Sequence, residues 1–139
     1  MLGVISVLLL AVCLCVGCNN LESDRPDSQL PVRHFAIDVD TTALPQFLST
    51  VEKLAIRHEF EYRIASVRPD GEHFIVEMAK PEFRVIIVNP LDSGTFKVTV
   101  YENTIRPFPA EAADAFLADL RQSVSTVAGV RLPTPSTLQ

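Results

Sequence analysis

The sequence predicts an α+β domain: a mostly antiparallel, five-stranded sheet with two helices packed on one face, in the order β-α-β-β-β-β-α. Three observations lead there. Four short segments alternate apolar and polar residues with a period of two, and a fifth is almost wholly apolar. Two longer segments repeat apolar residues at spacings of three and four, as a helix with one buried stripe does. Short stretches rich in Pro, Gly, Asn and Asp join successive strands, which suits a sheet built from neighbours in sequence with helices gathered on one side.

Taken in order, Phe35, Ile37 and Val39 alternate with His34, Ala36 and Asp38, so the first strand is half-buried. Asp40, Thr41 and Thr42 are candidate caps for a helix starting near Ala43, with Pro45 tolerated in its first turn. The stripe Leu44, Phe47, Leu48, Val51, Leu54 and Ala55 gives that helix its inward face. Phe60, Tyr62 and Ile64 form the second strand. Arg68-Pro69-Asp70-Gly71 then reads as a hairpin turn, since Pro69 pre-sets its φ and Gly71 accepts a positive one. Phe74, Val76 and Met78 mark the return strand. The apolar run Phe83 to Val88 reads as a strand central in the sheet or covered on both faces. Asn89 to Gly94 turns the chain, and Phe96, Val98 and Val100 alternate with Lys97, Thr99 and Tyr101. After Pro107-Phe108-Pro109, a final helix spans about Ala110 to Ala128, with Phe116, Leu117, Leu120, Val124 and Val127 inward. Glu111 and Asp114 suit its positive amino end and Gly129 its termination.

The segment ahead of this domain has a different character. Leu2 to Gly17 carries no charge, and no Lys, Arg, Asp or Glu occurs before Glu22. A transmembrane helix needs about 20 apolar residues, whereas a secretory signal needs a core of about 7–15 followed by a small residue at the cut. Here Gly17 is that small residue and Cys18 follows it. The tetrad Cys15-Val16-Gly17-Cys18 resembles the lipobox of bacterial lipoprotein precursors, with Cys15 where the pattern usually has leucine. The resemblance implies that residues 1–17 are a cleaved signal peptide and that Cys18 becomes the lipidated first residue, carrying diacylglycerol and palmitate-like chains. Cys13 and Cys15 follow Val12 and Leu14, which are too large for the position before the cut.

Two or more acyl chains hold a protein stably on a membrane without a spanning helix. Asn19 after the lipidated residue implies, by the enterobacterial sorting pattern, an outer-membrane location facing the periplasm. Residues 18–32 then form the lipidated cysteine and a polar, proline-interrupted tether reaching about 20 Å. Residues 33–132 are the globular domain, and 133–139 a disordered tail. The domain's element order is similar to that of TBP-like and helix-grip domains, a likeness of topology with no residue motif behind it.

The net charge of −5, with arginines scattered from Arg25 to Arg131, excludes the clustered basic surface that nucleic-acid binding requires. His34, His58 and His73 form no HxH or HxxxH pair, so no metal or cofactor is expected. Ser66, Ser93, Ser123 and Ser125 lie in no nucleophile elbow, and the glycines stand singly. An enzyme is not expected. What alternation does provide is a candidate partner surface: Arg63, His73, Glu77, Arg84, Lys97 and Tyr101 all fall on positions opposite the predicted core. The expected role is therefore a lipid-anchored, non-catalytic binding or assembly module of the cell envelope, an accessory subunit or an immunity-type protein, with an envelope protein as partner. The alternative is a small-ligand or lipid carrier with a pocket lined by Phe47, Phe74 and Phe116 between sheet and helices.

Overall fold

The structure is a computed structural model and describes residues 29–66, 74–89 and 94–134. The apolar amino-terminal segment with Gly17 and Cys18, the stretch Arg68–Gly71 expected to turn, His73 and the last five residues lie outside that range.

Strand β1 runs Gln29–Val39, followed by a single 3-10 turn, Thr41–Ala43, and helix α1, Leu44–Arg57. Strands β2 (Glu61–Ser66), β3 (Phe74–Ala79), β4 (Phe83–Val88) and β5 (Thr95–Asn103) come next, then helix α2 (Ala110–Ser125) and a two-residue strand β6, Val130–Arg131. They form one sheet in the order β2-β3-β4-β5-β1-β6, with every pairing antiparallel. The α+β class and the two helices agree with the sequence reading; among the described residues the count of five strands is corrected to six. A two-residue strand has no period to read. It exists because Gly129, at φ 86°, turns the chain after α2 so that Val130 and Arg131 meet Val39 and Asp38.

Alternation along the strands produces the core. Ile37, Val39, Val76, Met78, Val85, Ile87, Phe96, Val98 and Val100 face one way and are buried together with Phe47, Val51 and Leu54 of α1 and Ala113, Phe116, Leu120 and Val124 of α2. Leu44 and Leu48, the other predicted stripe positions, pack at the margin of this cluster. Ring contacts tie the layers together. Phe96 lies 5.5 Å from Phe47 and 5.7 Å from Phe74, and Phe60 lies 4.6 Å from Phe116, all tilted geometries that aromatic pairs favour. Phe47, Phe74 and Phe116, the expected pocket lining of a carrier, are thus buried members of this core.

Three boundaries differ from the sequence reading, each for a physical reason. β1 starts at Gln29, four residues inside the predicted tether, and accommodates Pro31 because a register shift falls between Pro31 and Arg33. Helix α1 has no side-chain cap from Asp40, Thr41 or Thr42; the 3-10 turn begins the helix, and Ala43 N–H donates to the Asp40 carbonyl at 2.8 Å. The Asp40 carboxylate instead accepts from Arg131 at 3.3 Å. Helix α2 ends at Ser125, short of the predicted Ala128, where Thr126 and Val127 N–H groups turn to the carbonyls of Ser123 and Val124.

The helices are also clasped to each other. His58, at the carboxy end of α1, approaches Asp119 of α2 with Nε2 2.7 Å from Oδ2. The Ser123 hydroxyl donates to the other carboxylate oxygen at 3.2 Å, and Arg57 lies 3.6 Å away. The hydrogen bond from His58 holds the Asp119 carboxyl below its ordinary pKa; partial burial opposes this, and Ser123 and Arg57 add to it.

Candidate interaction surface

The described helices cover only one side of the sheet, so the other side is built from the residues between the core positions. Cross-strand register arranges them in rows. One row runs Arg63, Glu77, Ile86, Thr99, His34 across β2 to β1. A second runs Glu61, Ala79, Arg84, Tyr101, Pro31, and a third runs Ala65, Ile75, Val88, Lys97, Ala36. Five of the six predicted partner-surface residues, Arg63, Glu77, Arg84, Lys97 and Tyr101, therefore share this face. His73 lies outside the described residues.

Register also decides which of them meet. Glu77 takes an ion pair from Arg63, its direct cross-strand neighbour, and a second from Arg84, whose Nε is 2.9 Å from Oε1. The glutamate side chain is 16% exposed against 72% for Arg63, so the carboxylate is set into the surface while one guanidinium stands out from it. A pair exposed to this degree adds little to stability, but two arginines on one carboxylate fix each other's direction. Arg84 and Tyr101 are cross-strand neighbours. Lys97 stands apart from this group, one row over, opposite Val88 and Ala36.

Sequence reasoning missed the middle of the face. Ile75, Ile86 and Val88 are half-buried there, and Thr99 between Ile86 and His34 is 6% exposed. The signal was present in the run Phe83–Val88. Strand β4 is central in the sheet, as expected, but its alternate residues Arg84, Ile86 and Val88 point away from the described helices. The result is an aliphatic centre with a cationic cluster at one end, Lys97 in the neighbouring row and Tyr101 beside Arg84. Chemically the face combines apolar area with charge beside it, the composition that interfaces generally show.

The histidines fit no catalytic arrangement among the described residues. His34 is exposed on the open face, while His58 belongs to the helix clasp. Asp119 there lies between His58 and Ser123, so the serine hydroxyl donates to the carboxylate and not to an imidazole; this is a brace, not a nucleophile relay. Among the described residues no group of three His, Cys, Asp or Glu side chains could hold a metal ion, and no helix is long and apolar enough to cross a membrane. Comparison with protein-family models and with curated proteins returns no match.

Proposed function

We propose that this chain is a lipid-anchored, non-catalytic binding or assembly module of the bacterial cell envelope, held at the outer membrane and facing the periplasm. The anchor in this reading is Cys18, freed by cleavage after Gly17 in the lipobox-like tetrad. The observation that carries the binding role is the open sheet face, where Ile75, Ile86 and Val88 form an aliphatic centre beside the Arg63–Glu77–Arg84 cluster. Aliphatic side chains on the side of the sheet that the described helices leave open favour a role in which a second surface covers them. The partner is an envelope protein, and the role is that of an accessory subunit or an immunity-type protein. We also take the topology to be of the TBP-like or helix-grip kind, which leaves function open because such layouts serve many roles.

The carrier alternative draws no support from the packing. Phe47, Phe74 and Phe116 are all buried in the continuous core cluster instead of lining a chamber.

Two experiments test the proposal separately. Metabolic labelling with a fatty-acid analogue should mark the wild type and not Cys18→Ala; equal labelling of both would refute the anchor. Affinity purification of the tagged protein from detergent extracts should recover a stoichiometric partner that Ile86→Arg no longer retains. Recovery of no partner, or of the same partner with the variant, removes the role given to this face.

A further inference from the structure

The edge of the sheet at β1 is only partly closed. Strand β6 pairs with it at Asp38 and Val39 alone, and among the described residues nothing else pairs on that side. Which backbone groups are left follows from alternation. Val39 N–H donates towards β5, to Gly94 at 2.8 Å, and Asp40 N–H donates the other way, to Gly129 at 2.9 Å. Counting back in steps of two, Ala36 and His34 present N–H and C=O to the open side.

Strand β6 cannot continue the ladder there. Extending the β6 register, Arg131 opposite Asp38, puts Pro133 opposite Ala36, in a position that needs an N–H donor. Proline has none. The chain leaves instead, and between His34–Ala36 and Leu132–Thr134 a groove of about 550 Å³ opens, with Arg121 of α2 on its wall. A second groove of about 310 Å³ continues along Arg33 and Phe35 beside Asp114 and Leu117 of α2. Upstream, Pro31 and the register shift protect the edge, but His34, Phe35 and Ala36 carry no such device.

Charge favours a particular occupant. Arg121 sits over the Phe35 ring, its guanidinium carbon 4.3 Å from the centroid, and among the described residues it has no carboxylate partner. The nearest acid on the wall, Asp114, already accepts from Arg33 at 3.1 Å. We infer that this edge is a strand-addition site for an extended peptide segment of another protein, paired with His34 and Ala36 and carrying an acidic side chain opposite Phe35. The residue opposite Phe35 projects to the helix side, where Arg121 waits; its neighbours project to the open face. This inference stands on β1, α2 and the chain from β6 to Thr134, and is independent of the lipid anchor and of the Ile86 face.

The probe is an acetylated, amidated heptapeptide alternating threonine and valine with glutamate at its centre, titrated into the isotope-labelled full chain in detergent. The His34 and Ala36 amide signals should shift and gain exchange protection. Lysine in place of the central glutamate should weaken binding about tenfold, since attraction to a guanidinium becomes repulsion. Alternate N-methylation of the peptide should abolish binding while leaving the protein unaltered. Arg121→Gln should reduce the preference for glutamate over lysine without changing the circular dichroism. Equal affinity for the two peptides, or shifts confined to other strands, would overturn the inference. So would protection of the same amides before any peptide is added, whether it tracks protein concentration, which makes a second copy the occupant, or is lost on removing residues 135–139, which makes the chain's own end the occupant.

Discussion

The two faces of this sheet are made of the same strands and both carry aliphatic side chains, yet one is wholly apolar and the other mixes Ile75, Ile86 and Val88 with charged residues. Ile87 and Ile86 are neighbours in β4: the first is fully buried under the helices, the second half-buried on the side the described helices leave open. The helix side is held by ring contacts and a continuous apolar cluster, so its residues determine whether the protein folds. The open side is organised by ion pairs around Glu77 and by cross-strand neighbours, interactions worth a few tenths of a kcal/mol each in water. The difference teaches that a hydrophobic side chain in a sheet stabilises by what lies above it, and that the same residue type without such a cover is available for association.

Several substitutions would break or sharpen that contrast. Phe116→Ala should do the most damage, lowering unfolding free energy by about 3–5 kcal/mol in urea titrations, because Phe116 is 1% exposed and packs against both Phe60 and His58. The paired exchange in β4 is the sharpest comparison. Ile87→Thr should cost about 2–4 kcal/mol by burying a hydroxyl without a partner, while Ile86→Thr, which keeps the β-branch and has solvent beside it, should cost under about 1 kcal/mol. Equal losses in the two variants would mean that the open face contributes to folding as the core does.

Gly129→Ala should cost about 1–3 kcal/mol, measured as a fall in Tm, because a side chain is strained at φ 86° and its Cβ would stand 3.0 Å from the Ala43 Cβ. The smallest effect is pH-dependent. Asp119 has a folded pKa below its unfolded value, so its contribution is present above the ordinary carboxylate pKa and is lost as pH falls through the lower, folded value. The Tm gap between the wild type and Asp119→Asn should therefore be widest near neutrality and begin to close only below about pH 4. A gap that instead widened in acid would show that the His58–Asp119 pair does not stabilise the ionised carboxylate.

Much of the fold was legible because it rests on period. Alternation identified the inward residues of β1, β3 and β5, and the stripes at three-and-four spacing named nearly every buried residue of α1 and α2. What escaped was set by contacts between residues far apart in sequence. β6 depends on Gly129 fitting against Asp40 and Ala43, and the helix start depends on a backbone turn while Arg131 takes the Asp40 carboxylate. The candidate face was half legible for the same reason. Charged residues in alternating positions announce a wet side, as Arg63, Glu77 and Arg84 did. Ile86 and Val88 share the parity of Arg84, but in a run otherwise apolar that single charge does not decide whether both faces are covered; the described helices lie on the other side.

The position of β1 also determines how the domain answers to mechanical load. Gln29 begins an eleven-residue strand that pairs with β5 along most of its length and with β6 at Asp38 and Val39 alone. A tug directed along that strand strains the β1–β5 ladder in shear, so its hydrogen bonds resist together, whereas a sideways pull would open them in succession like a zip. The domain is therefore stiffest when pulled lengthwise along β1 and most easily opened when that strand is peeled sideways.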